Sequence, residues 1–101
     1  MTITLDIKRK ALSGIGVIDH RVRLVKGGNI GTTDKSVGGN WGTNLGTFSY
    51  GANNDLWGDT FTPADVNAAS FGAVLAVRYN MQAGNDWPYV DHMQITVRYC
   101  P

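Results

Sequence analysis

The stretch Tyr50-Gly-Ala-Asn-Asn-Asp-Leu-Trp-Gly-Asp-Thr-Phe-Thr-Pro-Ala-Asp-Val-Asn67 decides the fold, because every other apolar run in the chain reads as a strand and this one does not. Gly51, Asn53, Asn54 and Asp55 tolerate positive φ or bond their own backbone, so they predict a tight turn after which Leu56 and Trp57 fold back as an anchor. Thr62-Pro63-Ala64-Asp65 predicts a helix start: a hydroxyl to cap, proline at the first helical position, and an acid where the capping box and the helix dipole favour one. Asn67, Ser70 and Gly72 stop it, which places one short helix near residues 63–69. So short a helix is marginal in isolation, and Leu56, Trp57, Phe61 and Val66 are expected to pin it across one end of a core. The stretch is the crossing between two halves of a sheet protein.

Outward from it, the chain reads as strands. Ile3, Leu5 and Ile7 alternate with polar residues over Thr2 to Lys10, the period of a half-buried strand. Ser13-Gly14-Ile15-Gly16 is a turn, followed by a second strand over Val17 to Lys26 with Ile18, Val22 and Leu24 on one face and His20 on that same apolar side. Gly27 to Gly46 is a Gly, Asn and Thr rich loop around Trp41, with room for a short strand near Ile30. It exceeds the roughly twelve residues that compact domains allow a loop without a task or internal order. Leu45 to Tyr50, with Phe48 and Tyr50 in phase, is a third strand. Phe71 to Tyr79 is a fourth, expected to be central because Val74 and Ala76 make its second face nearly as apolar as the first. After a polar connection over Asn80 to Pro88, Tyr89 to Tyr99 is the longest strand, with Tyr89, Asp91, Met93, Ile95, Val97 and Tyr99 in phase. These elements predict an all-β fold, an antiparallel β-sandwich of jelly-roll type with residues 1–101 as a single domain; a barrel is the alternative.

Composition narrows the function by exclusion. Charged residues are 17% and the net charge is +1, which argues against an electrostatic nucleic-acid binder or a polybasic membrane surface. The basic bias of Lys8, Arg9, Lys10, Arg21, Arg23 and Lys26 alternates with apolar residues as the outward face of strands does. Cys100 is the only cysteine, so no intrachain disulfide forms, though two chains could be cross-linked through it. The N-terminal residues carry no apolar run of the length of a signal peptide or spanning helix, and the expectation is a protein made in the cytoplasm.

Chemical motifs are few. Asp19-His20 and Asp91-His92 repeat a dipeptide that suits metal ligation or acid–base work, but adjacent strand residues point to opposite faces, so neither pair chelates through both side chains without a bulge. Hydrogen bonding at strand ends is the stronger reading. The serines lack a nucleophile-elbow context, and Gly14-Ile15-Gly16 lacks the further glycine and helix of a dinucleotide site. No catalytic residue, metal or cofactor is assigned. Trp41, Trp57 and Trp87 each sit among Gly, Asn and Asp, and with Asn54 and Asp55 they form the candidate ligand set for stacking and bonding a sugar ring at the loop ends. The competing reading has these rings closing the open ends of the core.

The residues Val25-Lys26-Gly27-Gly28, Trp41, Tyr50-Gly51, Asp55-Leu56-Trp57-Gly58, Thr62 to Asn67, Phe71-Gly72 and Val90-Asp91-His92 with Ile95-Thr96-Val97 and Tyr99 give nearly the whole chain a likeness. It resembles a β-sandwich module of bacteriophage structural proteins and of bacterial surface and environmental proteins. The resemblance implies a virion component such as a capsid decoration, head-fibre or tail-associated protein, located in the virion, with other virion proteins and copies of itself as partners and no catalytic residues. Relatives carry strands upstream of the one matching Thr2 to Lys10, so two alternatives stand: a smaller sandwich that closes on itself as a monomer, with Lys8, Arg9 and Lys10 as edge guards, or, the favoured one, a strand position left open for a neighbour, with Ile3, Leu5 and Ile7 as the candidate interface. A cell-surface glycan is the alternative partner.

Overall fold

In the computed structural model, which describes residues 1–52, 54–79 and 86–98, the chain forms two three-stranded antiparallel sheets and one short helix. The elements are β1 (Thr2–Ala11), β2 (Val17–Lys26), β3 (Asn29–Ile30), β4 (Gly46–Tyr50), α1 (Pro63–Asn67), β5 (Gly72–Tyr79) and β6 (Pro88–Arg98). One sheet has the order β4-β1-β6 and the other β3-β2-β5, so the chain changes sheets between β1 and β2. This is the sandwich-like all-β architecture that the alternating pattern predicts.

β1 is the spine of its sheet. Every second residue, Ile3, Leu5, Ile7, Arg9 and Ala11, is buried. Ile3, Leu5 and Ile7 are fully enclosed and pack with Val22 and Leu24 of β2, Tyr50 and Trp57, each apolar side chain contributing about 1.5–3 kcal/mol by leaving water. The expected interface at these three residues is therefore corrected. β1 is paired on both sides, with β4 through Leu5 to Arg9 and with β6 along its whole length, and the three side chains are core.

Two bulges explain where the strand phases depart from expectation. In β2, Asp19 pairs with Val77 and Arg21 with Ala76, so His20 is the extra residue. Val17 and Asp19 face inward before the bulge and Val22 and Leu24 after it, while His20 is exposed and Ile18 only partly covered. In β6, Lys8 of β1 pairs with His92 and Arg9 with Val90, so Asp91 is extra. Met93, Ile95 and Val97 therefore face inward together with Val90, and Tyr89 turns outward beneath the Lys10 ammonium. β5 also differs from expectation. It pairs only with β2 among the described residues and is an edge strand, not a central one.

The Tyr50–Asn67 crossing forms as its residues dictate. Asp55 N–H closes a turn on the Ala52 carbonyl, and the Asp55 carboxylate accepts from Trp57 N–H. The Trp57 indole N–H donates to the Ile3 carbonyl at 2.9 Å, which holds this ring 3% exposed despite a backbone φ of 56°. Gly51 is obligatory here: at φ 100° a Cβ would stand 2.5 Å from the Ile3 carbonyl oxygen. The capping box of α1 is complete, with Thr62 Oγ1 accepting from Asp65 N–H and the Asp65 carboxylate accepting from Thr62 N–H. Leu56, Phe61, Val66 and Phe71 pack on the main core, with Phe61 and Phe71 edge to face at 5.9 Å.

The Gly-rich loop has internal order. After β3 it runs along the remaining edge of β2: Val22 N–H donates to the Asp34 carboxylate, Lys35 N–H to the Val22 carbonyl, Val37 N–H to the Asp19 carboxylate and Trp41 N–H to the Val17 carbonyl. It then crosses to the first sheet, where Gly42 accepts from Ala11 N–H before β4 begins. One flank of the sandwich is closed by this segment.

Candidate functional site

Asp19 is the polar hub of the interior. Pointed inward by the residue before the bulge, its carboxylate accepts from the Trp41 indole N–H at 2.8 Å, the Tyr50 hydroxyl at 2.7 Å and Val37 N–H at 3.1 Å. Burial first, then the bond to the Asp19 carboxylate, push the Tyr50 phenol up to about 12. Arg9, in the inward phase of β1, approaches the same hydroxyl at 3.5 Å and lies between two rings, its guanidinium carbon 4.3 Å from the Trp41 centroid and 3.9 Å from that of Phe48. Its Nε is buried without a hydrogen-bond partner. Four segments, β1, β2, β4 and the Gly-rich loop, are thus joined through one network. Both charges are aimed at the chain itself, and this arrangement locks the two sheets together.

Asp86 does the same work at the turn between β1 and β2. Its carboxylate accepts from the N–H groups of Ser13, Ile15, Gly16 and Trp87 at 2.8–3.1 Å. Desolvation raises its pKa, but these four bonds outweigh it and hold the carboxyl below its ordinary value.

The expected ligand set does not come together as one surface. Trp41 and Trp57 are 1% and 3% exposed and spend their indole N–H groups on Asp19 and Ile3. Trp87, 57% exposed, stands at the Asp86 turn beside Leu12, whose N–H donates to the Trp87 carbonyl. Asp55 is paired with Lys35 at 2.6 Å, and that bond, against desolvation and with help from Trp57 N–H, lowers its pKa. Asn54 occupies a left-handed turn position and its N–H donates to Thr2 Oγ1; Asn53 lies outside the described residues. His20 is exposed on β2, and Asp91 and His92 bond each other on β6. Among the described residues, no group of three or more His, Cys, Asp or Glu is placed to hold a metal ion. Tyr99 and Cys100 lie outside the described residues.

One groove, of about 560 Å³, does form beside the crossing. Trp57 and Phe61 line it with Lys26, Asn29, Thr32, Thr33 and Asp59, and the Lys26 ammonium donates to the Thr60 carbonyl at 2.6 Å and pairs with Asp59 at 3.3 Å. Nothing in the sequence brought Asn29 and Thr32 to the same place as Trp57. In the Arg9 and Asp19 network only Arg9 had a signal, a charged residue in phase with Ile3, Leu5 and Ile7; Asp19 is turned inward by the bulge at His20, which alternation does not announce.

Comparisons of the chain with family models, with curated proteins and with solved structures find no match. Among the described residues, no helix is long and apolar enough to cross a membrane.

Proposed function

We propose that this chain is a non-enzymatic structural module that works through protein–protein contact, as a component of a bacteriophage particle: a capsid decoration, a head fibre or a tail-associated protein. The observation that carries the assembly reading is apolar surface left uncovered on a chain whose buried charges are turned inward. Val90 and Met93 of β6 and Tyr79 of β5 are 43%, 38% and 49% exposed, although each is paired with a residue whose side chain is buried. The placement in a virion is supported by the resemblance in order and spacing of the Lys26-Gly27-Gly28, Asp55-Leu56-Trp57-Gly58 and Thr62–Asn67 motifs. The test is a density gradient of particles from the culture that carries the gene, probed with an antibody to this chain. Signal that follows the particle band supports the reading, and confinement to the soluble fractions overturns it.

A second reading, glycan recognition, is favoured by the groove beside Trp57, where Asn29, Thr32, Thr33 and Asp59 offer donors and acceptors next to the Phe61 ring. A glycan array with a hit that Asn29→Ala and Thr32→Ala abolish supports it. A silent array removes it.

A further inference from the structure

The geometry points to the flank where β5 approaches β6 as a self-association surface. We propose that a second copy of this chain occupies it, across a two-fold axis normal to the sheets. This rests on the assembly reading above and names its surface.

The two flanks of the sandwich are finished differently. On one side the edge strands are short, two residues in β3 and five in β4, and the Gly-rich segment is hydrogen-bonded along β2. Short and covered edges are how sheet proteins avoid pairing. On the other side β5 and β6 run eight and eleven residues as edges of their sheets among the described residues, and β5 carries no charged side chain from Gly72 to Val77. They approach each other without joining into one sheet. Ala73, Leu75, Val77, Ile95 and Val97 pack on the core, and three inward-facing residues at this opening are left exposed: Met93 pairs with the fully buried Ile7, Tyr79 with the fully buried Val17, and Val90 with Arg9.

A two-fold axis normal to the sheets sets β5 antiparallel to its counterpart and β6 antiparallel to its own, so one operation supplies both edges with partners. The charges agree with this arrangement. Antiparallel pairing brings Arg98 at one end of β6 toward the Asp91–His92 end of the other copy, and it sends the two Arg78 side chains to opposite ends of β5. The area suffices. Eight residues at about 3.4 Å make an edge roughly 27 Å long, two sheets with their side chains are roughly 20 Å deep, and about 1,000 Å² is buried over both copies, the lower bound for a specific contact.

The experiment is light scattering on a dilution series of the whole chain, with reducing agent to exclude a Cys100 cross-link, for the native sequence and three variants. Val74→Glu stands opposite Arg23 and Gln94→Lys opposite Asp6, so each gains an oppositely charged neighbour in its own sheet, yet each sets like charges together near the two-fold axis. Thr47→Glu on β4 changes the closed flank. The expected result is a native mass of twice 10.9 kDa that falls on dilution. Val74→Glu and Gln94→Lys, with far-UV circular dichroism unchanged, raise the dimer dissociation constant at least tenfold, and Thr47→Glu does not. An oligomer indifferent to Val74→Glu and Gln94→Lys overturns the proposed face and leaves the assembly reading standing. A native chain that stays monomeric at millimolar concentration overturns the second copy as occupant, and the particle gradient then decides the assembly reading separately.

Discussion

Replacing Asp19 by alanine removes a carboxylate that three donors share. Each of the Trp41 indole N–H, the Tyr50 hydroxyl and the Val37 N–H loses its acceptor, and the buried Arg9 guanidinium loses the negative charge beyond Tyr50. A buried donor left without a partner costs about 1–3 kcal/mol, and breaking a buried charge arrangement from one side costs about 3–5 kcal/mol, so the expected loss is about 4 kcal/mol. A domain of this length has only about 5–15 kcal/mol in total, so the variant is expected to be poorly folded at 37 °C. Asp19→Asn keeps the shape and one good acceptor but sets an amide N–H₂ against a donor, and about half that loss is expected. The assay is urea unfolding followed by tryptophan fluorescence, with the double variant Arg9→Met/Asp19→Ala as control. Removing both charges is expected to be less harmful than the sum of the single changes. A loss under about 1 kcal/mol for Asp19→Ala would refute the claim that this carboxylate joins the sheets.

Other outcomes follow from the same contacts. Gly51→Ala, which forces a Cβ to within 2.5 Å of the Ile3 carbonyl oxygen at a positive φ, is expected to cost about 3 kcal/mol in thermal or urea unfolding, whereas Gly38→Ala, with nothing near its Cβ, changes little. Stability is expected to fall between about pH 4 and pH 2. Desolvation of Asp34 is outweighed by bonds from Val22, Ser36 and Arg23 that lower its pKa to about 2, and Asp55 and Asp86 are lowered too; the unfolded chain therefore binds more protons in this window, and a melting temperature independent of pH there would contradict the assignment. At alkaline pH the sign reverses. Tyr50, raised to about 12, favours the folded state below pH 10 and loses that contribution as pH rises through 12, so an absorbance titration at 295 nm is expected to show one late phenol that Tyr50→Phe abolishes. Acrylamide is expected to quench Trp87 and spare Trp41 and Trp57, so Trp87→Phe removes most of the quenchable signal.

The fold was legible wherever one residue type has one physical use. Thr62, Pro63 and Asp65 admit little else than a capped helix start, and Ile3, Leu5 and Ile7 little else than a buried strand face. What alternation cannot carry is a bulge, since one added residue leaves the pattern readable on both sides and reverses its sense between them. An unbroken period of two therefore puts His20 inward where Asp19 belongs, and Tyr89 in phase with Met93. The neighbours of a strand are equally absent from its own residues: β5 has two apolar faces and reads as central, yet among the described residues it is an edge. The buried stack of Arg9 between Trp41 and Phe48 unites positions far apart in the chain, and no local pattern announces it. Their Gly, Asn and Asp neighbours mark the tryptophans as loop residues with two alternative uses, and burial gives Trp41 and Trp57 to the core and Trp87 to the surface.

We propose that this sandwich, with Arg9 and Asp19 buried between its sheets, meets a second copy through the flank where β5 approaches β6. Amide hydrogen exchange read residue by residue at two protein concentrations tests it most directly. Protection is expected to rise with concentration in β5 and β6 while β3 and β4 stay unchanged. Rates independent of concentration along β5 and β6, or a rise confined to β4, would contradict it.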